Sequence, residues 1–223
     1  MSGQKVPGRP LASSRGAGDA RDVLVRTAAG LFARQGFEGT TLREVALGAD
    51  VTPAMVAYYF KDKSGLLEAV VRRSLGVLLG VVEASVAEHE PGAFVASLVP
   101  RYLSALSEEP WIPQVLIREV ISRESPLRQI FIDDFARHAA AAVPAKIMEE
   151  IATGSLRDDL DPRFLVLSLL GMCLFPFISQ PVLGPLLGFE TDEAFGRAYG
   201  DHVLALLSHG SSATGSLNAG DRA

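Results

Sequence analysis

The chain has 223 residues, 48% of them hydrophobic and 21% charged, enough for one large or two small globular domains with a sizeable core. Its single cysteine, Cys173, excludes an intrachain disulfide and fits a reducing cytoplasm. The net charge of -5 argues against nucleic acid only until its distribution is read: residues 1–75 hold eleven Lys and Arg against seven Asp and Glu, the remainder ten against nineteen. A basic N-terminal third on an acidic body is the charge pattern of a DNA-binding domain joined to a second domain.

Residues 1–18 are rich in Gly, Pro, Ser and Arg and have no apolar period, which predicts a disordered basic arm. Lys5, Arg9 and Arg15 are followed by no apolar run, so the arm does not read as a signal peptide. The first helix is expected over 19–35, where Val23, Leu24, Ala28, Leu31 and Phe32 recur at helical spacing and Gly36 serves as C-cap. Thr41 and Glu44 then form a capping box for a second helix carrying Leu42, Val45 and Ala46 on one face. Gly48 and Asp50 break it, with Gly48 expected to take the positive φ of the turn. Thr52 is the expected N-cap of a third helix of about two turns, with Pro53 in its first position. That helix buries Val51, Val56 and Phe60 and shows Pro53, Ala54, Met55, Tyr58 and Tyr59. Asp62 caps a fourth helix that carries Lys63 in its first turn and continues past Leu78, a candidate lever between two domains.

A helix of two turns buries too little to be stable alone, so the third helix reads as a probe held out by its neighbours. A helix, a turn and a second helix with an exposed N-terminus is the helix-turn-helix geometry that enters the major groove. The run TAAGLFARQGF, then EGTTLREVA, then GADVTPAMVAYYFKDKSGLL resembles the N-terminal domain of the tetracycline-repressor (TetR) family, over roughly residues 21–71. The resemblance implies an all-α protein, with a three-helix DNA-binding domain over 19–66 and a helical ligand-binding and dimerisation domain over 67–208. It points Tyr58 and Tyr59 towards DNA, with packing as the alternative for Tyr59. Ala57 replaces a tyrosine common in the recognition helix, so one usual DNA contact is missing.

No Arg, Lys, Asn or Gln lies between Thr52 and Phe60, so this helix cannot read guanine or adenine by a bidentate contact. Methyl contacts from Pro53, Ala54 and Met55 and hydroxyl bonds from Thr52, Tyr58 and Tyr59 remain. Arg43 is the long basic side chain placed to reach a guanine edge, with a phosphate as its alternative. Lys63 and the helix N-terminus around Thr40 and Thr41 are expected to hold phosphates.

From Pro91 onward helices are expected near 92–107, 111–123, 126–152, 162–187 and 191–208, with Pro100 and Pro144 kinking or splitting theirs. No sustained period of two marks a sheet. Residues 209–223 are rich in Gly and Ser and are expected to be disordered. The stretch from Phe164 to Phe189 contains no charged residue. By length it could cross a membrane, but Pro176, Pro181, Pro185 and Gln180 argue for a buried helix or a subunit interface. The resemblance implies a homodimer through the last two helices, with no membrane partner, and Leu170 and Leu206 as positions where Asp should separate it.

No catalytic motif is visible. The four histidines show no metal-binding spacing, and no nucleophile elbow or phosphate loop occurs. Asp158, Asp159 and Asp161 lack the glycine and terminal Glu of a calcium loop, and Asp161 before Pro162 reads as a helix N-cap. No metal, cofactor or enzymatic activity is expected. Phe94, Tyr102, Trp111, Phe131, Met172, Phe175 and Phe177, with the isolated polar groups Arg118, His138, Cys173 and Gln180, suggest a cavity for an apolar or aromatic effector. The expected function is a cytoplasmic transcriptional regulator, a repressor that binds palindromic double-stranded operator DNA and is released by a small molecule. The competing class is a helical interaction or enzyme domain in which the helix-turn-helix is only a packing unit.

Overall fold

The computed structural model describes residues 17–121 and 125–209, which form helices and turns with no strand among them. The arm expected over 1–18 lies outside the described residues save for Ala17 and Gly18, and the tail lies outside them beyond His209. The fold is all-α, as the sequence predicts. The chain divides into two compact units, Met1–Val70 and Val71–Ala223.

In the first unit, α1 (Ala17–Gly39) buries Leu24, Val25, Ala28, Ala29 and Phe32. Gly36 takes φ 78 and ψ 168, a non-helical conformation that costs glycine little, so the first helical stretch ends where expected and a short second stretch to Gly39 follows the kink. The Thr40 hydroxyl then donates to the Gly36 carbonyl at 2.8 Å, satisfying an acceptor the kink releases. α2 (Leu42–Gly48) starts with the expected capping box: Glu44 N–H donates to Thr41 Oγ1 at 3.2 Å, and Thr41 N–H to Glu44 Oε2 at 2.7 Å. The positive φ of the following turn falls on Asp50 (φ 53), not on Gly48. Gly48 is needed for space, because a Cβ there would stand 2.8 Å from Thr27 Cγ2 of α1.

α3 (Pro53–Phe60) has Pro53 at its start and buries Val56 and Phe60. Thr52 holds the N-cap backbone conformation, but its hydroxyl makes no cap hydrogen bond. The Met55 N–H is already taken by the Thr52 carbonyl at 3.0 Å, which leaves the hydroxyl facing outward. Asp62 caps α4 (Lys63–Val86) by accepting from Gly65 N–H at 2.8 Å. A Cβ on Gly65 would fall 2.3 Å from the Phe60 carbonyl oxygen, so the end of α3 and the start of α4 touch backbone to backbone. Gly65→Ala should therefore cost roughly 1–3 kcal/mol by overpacking. Thermal unfolding should show a loss of several degrees; an unchanged Tm would mean the junction is loose.

The second unit contains α5 (Ala93–Glu108), α6 (Ile112–Val115), α7 (Pro126–Phe131), α8 (Arg137–Ala152), α9 (Pro162–Leu187) and α10 (Glu193–His209). The helices expected over 111–123 and 126–152 are each interrupted by a π-helical segment, Leu116–Ile121 after α6 and Ile132–Ala136 between α7 and α8. The second break lies upstream of Pro144, which stays inside α8, and Pro100 likewise stays inside α5. Neither proline splits its helix, since each removes one backbone donor while the surrounding turns hold through packing. Gly92, the N-cap of α5, has no side chain to offer, and the buried Glu150 of α8 replaces it by accepting the Phe94 N–H at 2.8 Å. Arg73 of α4 pairs with Glu109 at the end of α5 at 2.6 Å. Phe195 and Tyr199 of α10 stack at 5.2 Å, and Phe195 meets the buried Phe177 of α9 edge-on at 6.2 Å.

Candidate functional site

The probe helix stands out as expected from its pattern. Thr52, Pro53, Ala54, Ala57 and Tyr58 are exposed, while Met55 and Tyr59 are half-buried. Tyr58 is 83% exposed, and its ring meets Tyr59 edge-on at 5.2 Å. Tyr59 lies in turn 6.1 Å from the Phe60 ring, so it is tied to the core side of α3 as well. Arg43 on α2 is exposed and has no hydrogen bond or ion pair among the described residues. Leu47, one turn further along α2, is 83% exposed. It lies off the face formed by Leu42, Val45 and Ala46, of which Val45 and Ala46 are buried.

Two of the groups expected to meet phosphate are occupied within the protein. Thr40 is 1% exposed, and its hydroxyl donates to Gly36 and accepts from Gln35. The N-terminus of α2 already holds an anion, the Glu44 carboxylate, bonded to the Thr41 hydroxyl and amide. Those bonds, the side-chain one first, hold the Glu44 carboxyl below the usual range. A carboxyl whose pKa is depressed on folding stabilises above its unfolded pKa and loses that contribution as pH falls through the folded value, so the box is intact at neutral pH.

Lys63 is half-buried, with its ammonium 2.9 Å from the Thr40 carbonyl and 3.5 Å from that of Glu38, 4.3 Å above the Phe37 ring. It neutralises carbonyls left open at the end of α1, the terminus a cation favours. Lys63→Ala should lower stability by about 1 kcal/mol and be visible as a lower Tm. An unchanged Tm would place the side chain outside the fold's support.

The second unit contains an apolar cavity of about 250 Å3, walled by α4, α5, the α7–π–α8 stretch and α9. Tyr102 and Phe131 line it, as does Cys173. Phe135 and Ala136 reach it from the π segment. Of the other residues expected there, Phe94 is fully buried at the start of α5 and Trp111 sits half-buried ahead of α6. Arg118 is exposed on the first π segment, and exposed His138 lies 3.8 Å from Glu83. On α9, Met172 is half-buried, Phe175 is 58% exposed, and Gln180 donates to Glu190 at 2.9 Å. None of these seven lines the cavity, and neither does Phe177, which packs on Phe195 of α10. Apart from Tyr102 and Cys173, every lining side chain is Val, Leu, Phe or Ala. Burial pushes the Cys173 thiol up to about 12, so it stays protonated and unreactive.

α9 also shows apolar residues outward: Phe164 and Leu167 are 65% exposed and Leu186 73%. The helix is long and apolar enough to cross a membrane, a test that interface helices also pass. Among the described residues, no group of three or more His, Cys, Asp and Glu is placed to hold a metal. Asp161 caps α9 through the Arg163 N–H at 2.8 Å, and hydrogen bonds from the Arg163 side chain and backbone hold its carboxyl at about 2.

The family model for bacterial regulatory proteins of the tetR family matches residues 24–70, the stretch that builds α1 to the first turns of α4. The probable HTH-type transcriptional regulator YttP of Bacillus subtilis is 47% identical over 51 residues, 23% of this chain and 25% of that one. The HTH-type transcriptional repressor KstR2 of Mycolicibacterium smegmatis is 29% identical over 148 residues, 63% of this chain and 69% of that one. Residues 24–70 therefore form a tetR-family DNA-binding domain, and the matches together support a TetR-type transcriptional regulator. The likeness extends beyond the N-terminal unit in fold: the ketosteroid transcriptional regulator KstR2 of Mycobacterium tuberculosis superposes with a TM-score of 0.69 at 21% identity, over 85% of this chain and 95% of that one. The matches support a DNA-binding transcriptional regulator of this type, with α2 and α3 as its helix-turn-helix.

Proposed function

We propose that this TetR-type regulator is a homodimeric repressor that binds a palindromic operator through α2 and α3 and is released by a small apolar or aromatic effector. The observation that carries the effector half is the cavity of about 250 Å3, walled by aliphatic and aromatic side chains with no charged group. Such a pocket selects ligands by apolar burial. The exposed apolar side of α9 supports the dimer, since a contiguous patch of that kind is an interface in a soluble regulator. Two-fold symmetry then supplies the second α3 that a palindrome needs. The relative in Mycolicibacterium smegmatis carries the name of a repressor, which favours repression here. A cytoplasmic location follows from the same role.

On DNA, Pro53, Ala54 and Met55 meet thymine methyls, Thr52 and Tyr58 offer hydroxyls, and Arg43 reaches a base edge. Lys63 holds a phosphate with the donor it does not spend on Thr40 and Glu38. The test is a gel shift on DNA flanking the protein's own gene, paired with a thermal-shift screen of hydrophobic compounds. Retarded DNA that is freed by the compounds that raise the Tm is the expected result. Binding to no flanking DNA, or a Tm raised only by highly charged metabolites, would overturn the proposal.

A further inference from the structure

We infer that the Tyr102 hydroxyl is the polar anchor of the cavity, and that the effector is a neutral, mostly apolar molecule carrying one hydrogen-bond acceptor. This rests on the cavity being the effector site. Tyr102 is 5% exposed and lines the cavity, yet its hydroxyl has no hydrogen bond among the described residues. The hydroxyl oxygen is not among the fully buried polar atoms that lack a partner, so it keeps a little accessible surface, and a ligand acceptor in the cavity would pair it.

Its neighbourhood decides what that partner is. No lining side chain carries an amide, a carboxylate or a cation, and the one other polar group, the Cys173 thiol, is a weak donor. Burial also pushes the Tyr102 phenol above its ordinary value, so it remains an O–H at any physiological pH. The site therefore offers one strong donor in an otherwise apolar wall. A ketone, ester or ether oxygen fits that donor. A carboxylate or phosphate does not, since an anion buried among Leu169, Phe135 and Val99 would have no countercharge. Specificity built this way is sharp, because an analogue without the acceptor leaves the hydroxyl unpaired again.

The test compares the full-length protein with its Tyr102→Phe variant, by calorimetric titration with three probes of similar size: butylbenzene, benzylacetone and hydrocinnamate. Wild type should bind benzylacetone and butylbenzene, and hydrocinnamate far more weakly. Tyr102→Phe should weaken benzylacetone by about three- to tenfold, the worth of one neutral hydrogen bond, and leave butylbenzene unchanged. Because the hydroxyl has no partner in the empty protein, the variant should melt no lower than wild type. Equal effects of the substitution on both neutral probes, or hydrocinnamate binding as tightly as the ketone, would overturn the role of Tyr102 while leaving the cavity as an effector site. Failure of both neutral probes to bind wild type would overturn the cavity reading, and this inference with it.

Discussion

Leu167→Asp should give a monomer that binds operator DNA roughly a hundredfold or more weakly than the wild-type dimer. Leu167 is 65% exposed on α9, and it belongs to neither the core nor the cavity. In the proposed dimer it is covered by the partner copy, and an aspartate there would be buried twice around the two-fold axis without a cation to meet it. DNA affinity falls because a dimer holds its second α3 at high effective concentration over the second half-site, and a monomer loses that link. Leu170, one of the two positions the sequence suggests for the same experiment, is a poorer choice. It lines the cavity as well, so an aspartate there would disturb effector binding together with assembly. Sedimentation reads the mass and fluorescence anisotropy the affinity. A wild-type protein that sediments as a monomer at micromolar concentration, or a variant that remains dimeric, would refute the role of α9.

Arg43→Ala should cost roughly 1–3 kcal/mol on the operator and relax preference at one position in each half-site. The expectation follows from what α3 lacks. Its exposed surface is Thr52, Pro53, Ala54, Ala57 and Tyr58, with no side chain able to pair bidentately with a base. Arg43 on α2 is exposed and uncommitted to any group among the described residues, so its fork is available for guanine. Lys63→Ala provides the contrast: it should weaken specific and random DNA alike, lower the salt slope by about one unit, and reduce the Tm. If Arg43→Ala also weakened all sequences equally, Arg43 would be a phosphate contact. Operator choice would then rest on thymine methyls and DNA shape.

The DNA-binding unit was legible because its signals are local. Thr41 and Glu44, Pro53, and Asp62 ahead of α4 each specify a helix terminus within three residues of themselves, and the structure places each where that chemistry requires. The misjudged details depend on contacts between elements. The pattern around Gly48 predicts a turn conformation, but its lack of a side chain serves the approach of α2 to Thr27. Lys63 carries no sequence mark of its bonds to the carbonyls of Thr40 and Glu38, because those partners are more than twenty residues away.

The second unit was legible as helices but not as a cavity. Aromatic and polar residues stand out in the sequence, whereas most of the wall is Val, Leu and Ala, residues that look identical to core. Phe135 follows Phe131 by four residues and packs on its ring at 5.6 Å, so the helical spacing already puts both on the cavity face. Tyr102 is legible as a lining residue, but its unpaired hydroxyl is a fact of packing.

Footprinting of the DNA flanking the gene, with the purified full-length protein, tests the central claim most directly. The expected result is protection of two half-sites related by two-fold symmetry and centred about one helical turn, or a multiple of it, apart. That protection should disappear in the Leu167→Asp variant and on addition of an apolar compound that raises the Tm. Protection that is absent, confined to a single asymmetric site, or indifferent to every cavity ligand would contradict it.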